Sequence, residues 1–304
     1  MTTNGAGIKL GTAPITWGVC ELRDWGVMLP YERVLDEMAE LGYAGTELGP
    51  WGYLPKDAAV LDTELRRRDL ALAGAFCPVT LHDRARYPEQ LAYALDTCRL
   101  IAELGAPVLV LAEAGDPARK RIAGRVSASD PGFSEEDWRR FAEGANEIAR
   151  RAKDMGLACA FHPHAGTYVE TPDETDELLR RTDPSLVGLC LDTGHVYYGG
   201  GDPVALARRS SRRVRHVHLK DVDRRRYERA IAGGLDFTAA VGEDVFIPVG
   251  SGSVDMRAVL GALREADFRG WLIVEQDVRI APGSPRRPKD DAAESRSFVM
   301  AELR

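Results

Sequence analysis

Short runs of consecutive apolar residues alternate along the chain with longer stretches in which apolar residues recur every three or four positions. The short runs are KLGTAPI (9–15), AGTEL (44–48), LALAGAF (70–76), PVLVLA (107–112), LACAF (157–161), VGLCLD (187–192), VRHVHLK (214–220) and WLIVEQ (271–276). Nearly continuous apolarity over so few residues suits parallel strands covered on both faces. The stretches between them have helical spacing. In 31–42, Val34, Leu35, Met38 and Leu41 fall on one face, and Gly42 ends the segment. In 88–105, Leu91, Leu95, Cys98 and Ile101 do the same, with Gly105 as the stop. The longest runs from Ser134 to Met155, with Trp138, Phe141, Ala145, Ile148 and Ala152 inward. Thr171 as N-cap, Pro172 in the first turn and Glu174 closing a capping box start another helix. Further helices fit 57–68, 203–209, 256–266 and 292–303.

Eight strands each followed by a helix predict an α/β fold, a closed (β/α)8 TIM barrel. An open doubly wound sheet is the competing arrangement, but no GxGxxG follows the first strand. At 304 residues and with no break in composition, residues 1–304 read as one barrel domain. The long stretches 112–134 and 221–252 both follow strands, so a barrel would put them at its catalytic face.

The net charge of −7 argues against a general nucleic-acid partner, and the basic runs 208–216 and 223–229 read as solvated faces. The cysteines at 20, 77, 98, 159 and 190 form no CxxC pair and suggest reduced thiols, hence a cytoplasmic protein. The opening MTTNGAGIKLG lacks a basic-then-apolar signal pattern. No run reaches the roughly 18 apolar residues a membrane span needs. No membrane partner is expected, and a homo-oligomer stays open.

The chemistry concentrates at strand ends. Of the histidines at 82, 162, 164, 195, 216 and 218, all but His82 sit at or just after the ends of the fifth to seventh strands. Asp192 ends VGLCLD, Glu275 ends WLIVE, Glu47 ends AGTE, and Glu113 follows PVLVLA. Strand ends of a barrel converge on one mouth, where mixed carboxylate and imidazole groups suit a divalent cation. Bland alternatives stand beside each residue. Asp192 would cap the next turn, Glu275 would pair with Arg279 or Lys220, and Glu47 and Glu113 would be polar lining. His216, two residues before His218, would lie one layer deeper on the same side. Lys220 alternates to the same side as His218 and is placed to touch a developing oxyanion.

HPHAGTYVETPDE, DPSLVGLCLDTGHVYYGGGDP, VRHVHLKDV, VGSGSVDM and GWLIVEQD together resemble the myo-inosose dehydratases, lyases of inositol catabolism within the xylose-isomerase-like superfamily. GTAPITWGV and AFCPVT fit as well, and the resemblance is densest over 156–277. It implies a barrel with a divalent metal at its mouth; the mixed nitrogen and oxygen donors favour Mn or Co, with Mg or Zn as alternatives. The superfamily's ligands fall on Asp192, His218 and Glu275, its substrate-binding histidine on His195, and a later arginine on Arg224. Many isomerases and epimerases carry a glutamate where this chain has His162. His162 is therefore expected as the fourth ligand, and the change argues against a paired-glutamate epimerase. His164 is expected to contact substrate or orient a ligand.

The implied reaction removes water from 2-keto-myo-inositol through an enediolate, giving a trihydroxycyclohexane-1,2-dione. Glu275, His162, His195 and Lys220 are the acid–base candidates, and His164 joins the catalytic set. His195, His164, Lys220 and Arg224 are the expected substrate contacts, the partner being a small polyol or keto-sugar. Which group is base and which is acid stays open. The alternatives are an isomerase or epimerase of a keto-sugar or inosose, a lyase acting on a 3-keto-glycoside, and a sugar-binding barrel without activity.

Overall fold

The computed structural model describes residues 7–22 and 25–304. Eight parallel strands close into a barrel: Ile8–Thr12, Gly45–Glu47, Ala71–Val79, Val108–Glu113, Ala158–Phe161, Val187–Asp192, Val214–Leu219 and Gly270–Val274. Each strand pairs with its neighbours in chain order, and the last closes on the first, Thr12 facing Val274. The open-sheet alternative is excluded.

The helices form because one stripe of each is apolar and the barrel offers it cover. Trp138, Phe141, Ala145, Ile148 and Ala152 of helix Glu135–Asp154 are all buried. In helix Tyr87–Glu103 the buried stripe is Ala94, Thr97, Cys98 and Ile101, with Leu91 and Leu95 half-buried at its edge. Thr171 and Glu174 form the capping box at Pro172–Arg181. The first strand ends at Thr12 rather than 15, because Pro14 opens a 3-10 turn, Pro14–Trp17. The last helix begins earlier than its pattern suggests, at Pro288.

Both long connections lie at the carboxyl ends of the strands. The first contains helix Pro117–Ile122. The second contains helices Arg224–Ala232 and Phe237–Gly242, with an antiparallel pair, Asp221–Val222 and Phe246–Ile247. All five cysteines are free and buried. Among the described residues no helix is long and apolar enough to cross a membrane.

Candidate active site

The DTGH stretch builds one wall of the site. Asp192 is the last residue of the sixth strand, and its Oδ1 accepts the His195 amide at 2.8 Å, capping helix Thr193–Tyr198. Its Oδ2 faces the other way, 3.2 Å from His162 Nε2, 3.3 Å from Lys220 Nζ and 3.6 Å from His218 Nδ1. Capping residue and site residue are thus the same carboxylate, one oxygen for each task. Thr193 Oγ1 accepts the Lys220 amide at 2.9 Å and donates to the Lys220 carbonyl at 2.7 Å, tying this turn to the seventh strand's end. A Cβ on Gly194 would lie 2.5 Å from Lys220 Cγ, so glycine is what lets the lysine stem pass. A shift in strand register between Leu189 and Cys190 brings Asp192 level with His218.

His218, near the end of the seventh strand, meets Glu275, the residue after the eighth. His218 Nδ1 lies 3.1 Å from Glu275 Oε2. Glu47, ending the second strand, is buried and takes Nε2–H donations from His216 at 2.7 Å and His218 at 2.9 Å. The latter bond puts the neutral His218 proton on Nε2, and Nδ1 is left without a hydrogen bond. Lys220 is buried with its Nζ 3.2 Å from Glu275 Oε2, 2.8 Å from Asp277 Oδ1 and 3.1 Å from His195 Nε2. His195 Nδ1 accepts the Ala165 amide at 3.2 Å, which places the neutral ring's proton on Nε2. His164 donates through Nδ1 to the Ala165 carbonyl at 2.8 Å and packs against His195, ring centres 3.7 Å apart and planes tilted by 33°.

These contacts divide the charges. Burial opposes ionisation of Lys220, yet Asp192, Asp277 and Glu275 hold its ammonium well above the ordinary lysine pKa. Burial also opposes charge on Asp192, but the Lys220 ammonium holds it well below the usual carboxylate range. Glu275 is likewise lowered, by His218 and Lys220 against the effect of burial. Glu47 is lowered against burial by the charge of His218 and the bonds from His216 and His218. Burial first, then His162 and Lys220 for His164, and His164 and Lys220 for His195, hold both imidazoles well below the ordinary value. Burial raises Asp277 in spite of Lys220.

Residues 35–301 match the xylose isomerase-like TIM barrel family. The chain belongs to that family. Within it, an inosose dehydratase of Clostridium beijerinckii is 34% identical over 294 residues, covering 96% of both chains. An inosose dehydratase of Geobacillus kaustophilus is 35% identical, covering 90% of this chain and 89% of its own. Among solved structures, the IOLI protein with a bound zinc atom shares the fold at 16% identity and a TM-score of 0.69, over 97% of this chain and 98% of its own.

The donor set of this xylose isomerase-like barrel fits a divalent cation. Asp192, His218 and Glu275 offer donor atoms within 4.8 Å of one another, and His162, Asp192 and His195 form an overlapping group. Three buried carboxylates, Asp192, Glu275 and Asp277, face the Lys220 ammonium, and a fourth, Glu47, lies behind His218, which leaves negative charge for a cation to balance. The carboxylates raise the His218 pKa well above its ordinary value against burial, so a proton takes the position that a cation would otherwise hold. Its unbonded Nδ1, backed by Glu47 on Nε2, is the arrangement of a metal-binding histidine.

His162, His164, His195, His218, Lys220 and Glu275 line one cavity of about 160 Å³, and Asp192 lies behind it, fully buried. The expectation for Arg224 is corrected. It is exposed on helix Arg224–Ala232, bonds the Tyr197 hydroxyl at 3.2 Å and does not line the cavity. The helix starts at this residue, with Asp223 as its cap, and carries the side chain to solvent. His82 packs on Phe133 and Tyr168 outside the cavity. Asp277, which lines the cavity 2.8 Å from Lys220, is the neighbour that sequence reasoning passed over. It stands two residues after Glu275, and period-two alternation past the strand end would have put both on one side.

Proposed function

We propose that this protein is a metal-dependent inosose dehydratase, removing water from 2-keto-myo-inositol to give a trihydroxycyclohexane-1,2-dione. The observation that carries the reading is identity of about a third, over nearly the whole chain, to proteins named inosose dehydratase. The site's geometry suits that chemistry. His162, Asp192, His218 and Glu275 would hold the cation, and their mixed nitrogen and oxygen donors favour Mn or Co. When bound, the cation supplies positive charge beside the ketone oxygen, where negative charge gathers as the α-proton leaves.

The chain's own groups would move the protons. Ionised Glu275 accepts the α-proton. Lys220, held cationic by Asp192, Asp277 and Glu275, donates to the departing β-hydroxyl, which leaves as water. The enol left behind rearranges to the second ketone, so one water is lost overall. His195 packs beside Lys220, and with its Nδ1 lone pair taken by the Ala165 amide it has none left to act as base. His164 keeps an Nε2 lone pair for a substrate hydroxyl, since Nδ1 carries its proton. Phe76 and Phe237 offer apolar walls to the ring's carbon faces. An epimerase returning the proton from a second carboxylate is disfavoured, because His162 occupies that carboxylate's place.

Chelation tests the proposal. Turnover of 2-keto-myo-inositol should vanish in stripped protein and return with Mn²⁺ or Co²⁺ better than with Ca²⁺, which prefers more oxygen donors. Full turnover by protein shown metal-free by elemental analysis would refute the metal role.

A further inference from the structure

Lys120 stands apart from the other charged groups of the cavity. It lies in helix Pro117–Ile122, which Asp116 caps by accepting the Ala118 amide at 2.7 Å. The preceding residue anchors the helix: Arg119, buried, donates to both carboxylate oxygens of Glu174 at 2.7 and 2.9 Å. Lys120 therefore has a fixed backbone, and its stem runs through a slot between two glycines. A Cβ on Gly115 would lie 3.0 Å from Lys120 Cε, and one on Gly166 would lie 3.1 Å from Lys120 Cγ. Both glycines hold a left-handed backbone, φ +82 and +81, that favours residues without a side chain.

The residue lines the same cavity as His162, His218 and Glu275, and it is half-buried. Its ammonium has no hydrogen bond or ion pair among the described residues. Its neighbours in the wall are satisfied or acidic. Glu113 accepts the Gly115 and Tyr168 amides at 3.0 and 3.1 Å, and Glu21 lies near Cys20. A positioned ammonium with its donors unspent, in a pocket for a small molecule, calls for ligand oxygens. The carboxylates of Glu21 and Glu113, which line the same cavity, oppose an anionic group, so those oxygens belong to an uncharged ring.

We propose that Lys120 is a specificity-determining residue that donates hydrogen bonds to the ring hydroxyls not held by the His162–Asp192–His218–Glu275 cluster. The proposal rests on the dehydratase reading for the identity of the ring, and on the lysine's surroundings for the contact itself. Lys120→Met keeps the stem in its slot and removes only the ammonium.

Binding of myo-inositol, read by calorimetry on the intact protein, tests the contact without turnover. Lys120→Met should weaken it about 10-fold or more, the range of a hydrogen bond from a charged donor. Lys120→Arg should recover part of the loss. With 2-keto-myo-inositol the damage should fall on KM rather than kcat. The preference for this substrate over an analogue lacking one ring hydroxyl should shrink by a similar factor. Lys120→Gln repeats the test should the methionine variant melt early. Three results would overturn the proposal: no binding of myo-inositol by the wild type, unchanged binding by Lys120→Met, or Lys120-dependent binding of an inositol phosphate tighter than that of myo-inositol. Lys120-dependent binding of myo-inositol by a protein that fails to dehydrate the ketone would leave the contact standing and remove the dehydratase reading.

Discussion

His218 gives its Nε2 proton to Glu47 Oε1 at 2.9 Å and so turns an unbonded Nδ1 toward Glu275 Oε2, 3.1 Å away. One buried carboxylate thereby sets the tautomer of the central imidazole. The same oxygen also holds His216, so the anchor reaches one layer down into the barrel. Glu47→Gln keeps the shape and an acceptor oxygen but removes the negative charge that both imidazole donors face. Metal affinity should drop about 10- to 100-fold, measured by competition with a chromogenic chelator, while far-ultraviolet circular dichroism stays that of the wild type. Unchanged affinity would mean that Glu47 is a packing partner only.

Lys220 and Glu275 should separate in their effects. In deuterated buffer, Lys220→Met should still exchange the substrate's α-proton while water loss falls about 100-fold or more, the usual worth of a positioned proton donor. Glu275→Gln should lose both exchange and elimination. Metal content measured on the same samples separates lost chemistry from a lost cation. Loss of exchange in Lys220→Met at full metal occupancy would contradict the assignment of Lys220 to the leaving group.

Glu170 makes stability depend on pH. Its carboxylate, buried beneath the loop that carries His164, accepts the Gly124 and Gly166 amides, each at 2.6 Å. Burial pushes its pKa from 4.5 up to about 7, more than those two bonds pull it down. Between these values the folded chain binds more protons than the unfolded one, so this group's contribution to unfolding free energy falls as pH rises. The loss is on the order of 3 kcal/mol and is complete above the folded-state value. Glu170→Gln cannot ionise. The stability difference, wild type minus variant, should therefore shrink between pH 5 and about 7.5 in denaturant titrations. A difference independent of pH would contradict the buried carboxyl's titration.

How much of this was legible in the chain differs from residue to residue. Most of the barrel strands were readable because both faces are covered, so few polar residues interrupt their runs; VRHVHLK, with Arg215, His216 and His218, departs from this. Asp192 invited two readings, cap and site, and both describe it, since a carboxylate has two oxygens and a one-dimensional pattern cannot divide them. The gathering of His162, His218 and Glu275 followed from strand-end position alone. Glu47 was visible as a strand-end acid at the mouth, but not as the partner of His216 and His218, because they lie about 170 residues away on the far side of the closure. Arg224 was misplaced, since a spacing carried over from a resemblance takes no account of the helix that starts there. Helices Pro117–Ile122 and Phe237–Gly242 are too short to show a period, and they hold Lys120 and Phe237 against the cavity.

The most direct test of the central claim is the mass of the product formed from 2-keto-myo-inositol by the Mn²⁺- or Co²⁺-loaded protein. Dehydration predicts a species lighter than the substrate by one water, about 18 mass units, whose dione absorbs in the ultraviolet, with the α-proton lost to solvent. A product of unchanged mass with a rearranged ketone or an inverted centre would contradict the dehydratase and leave the isomerase or epimerase in its place.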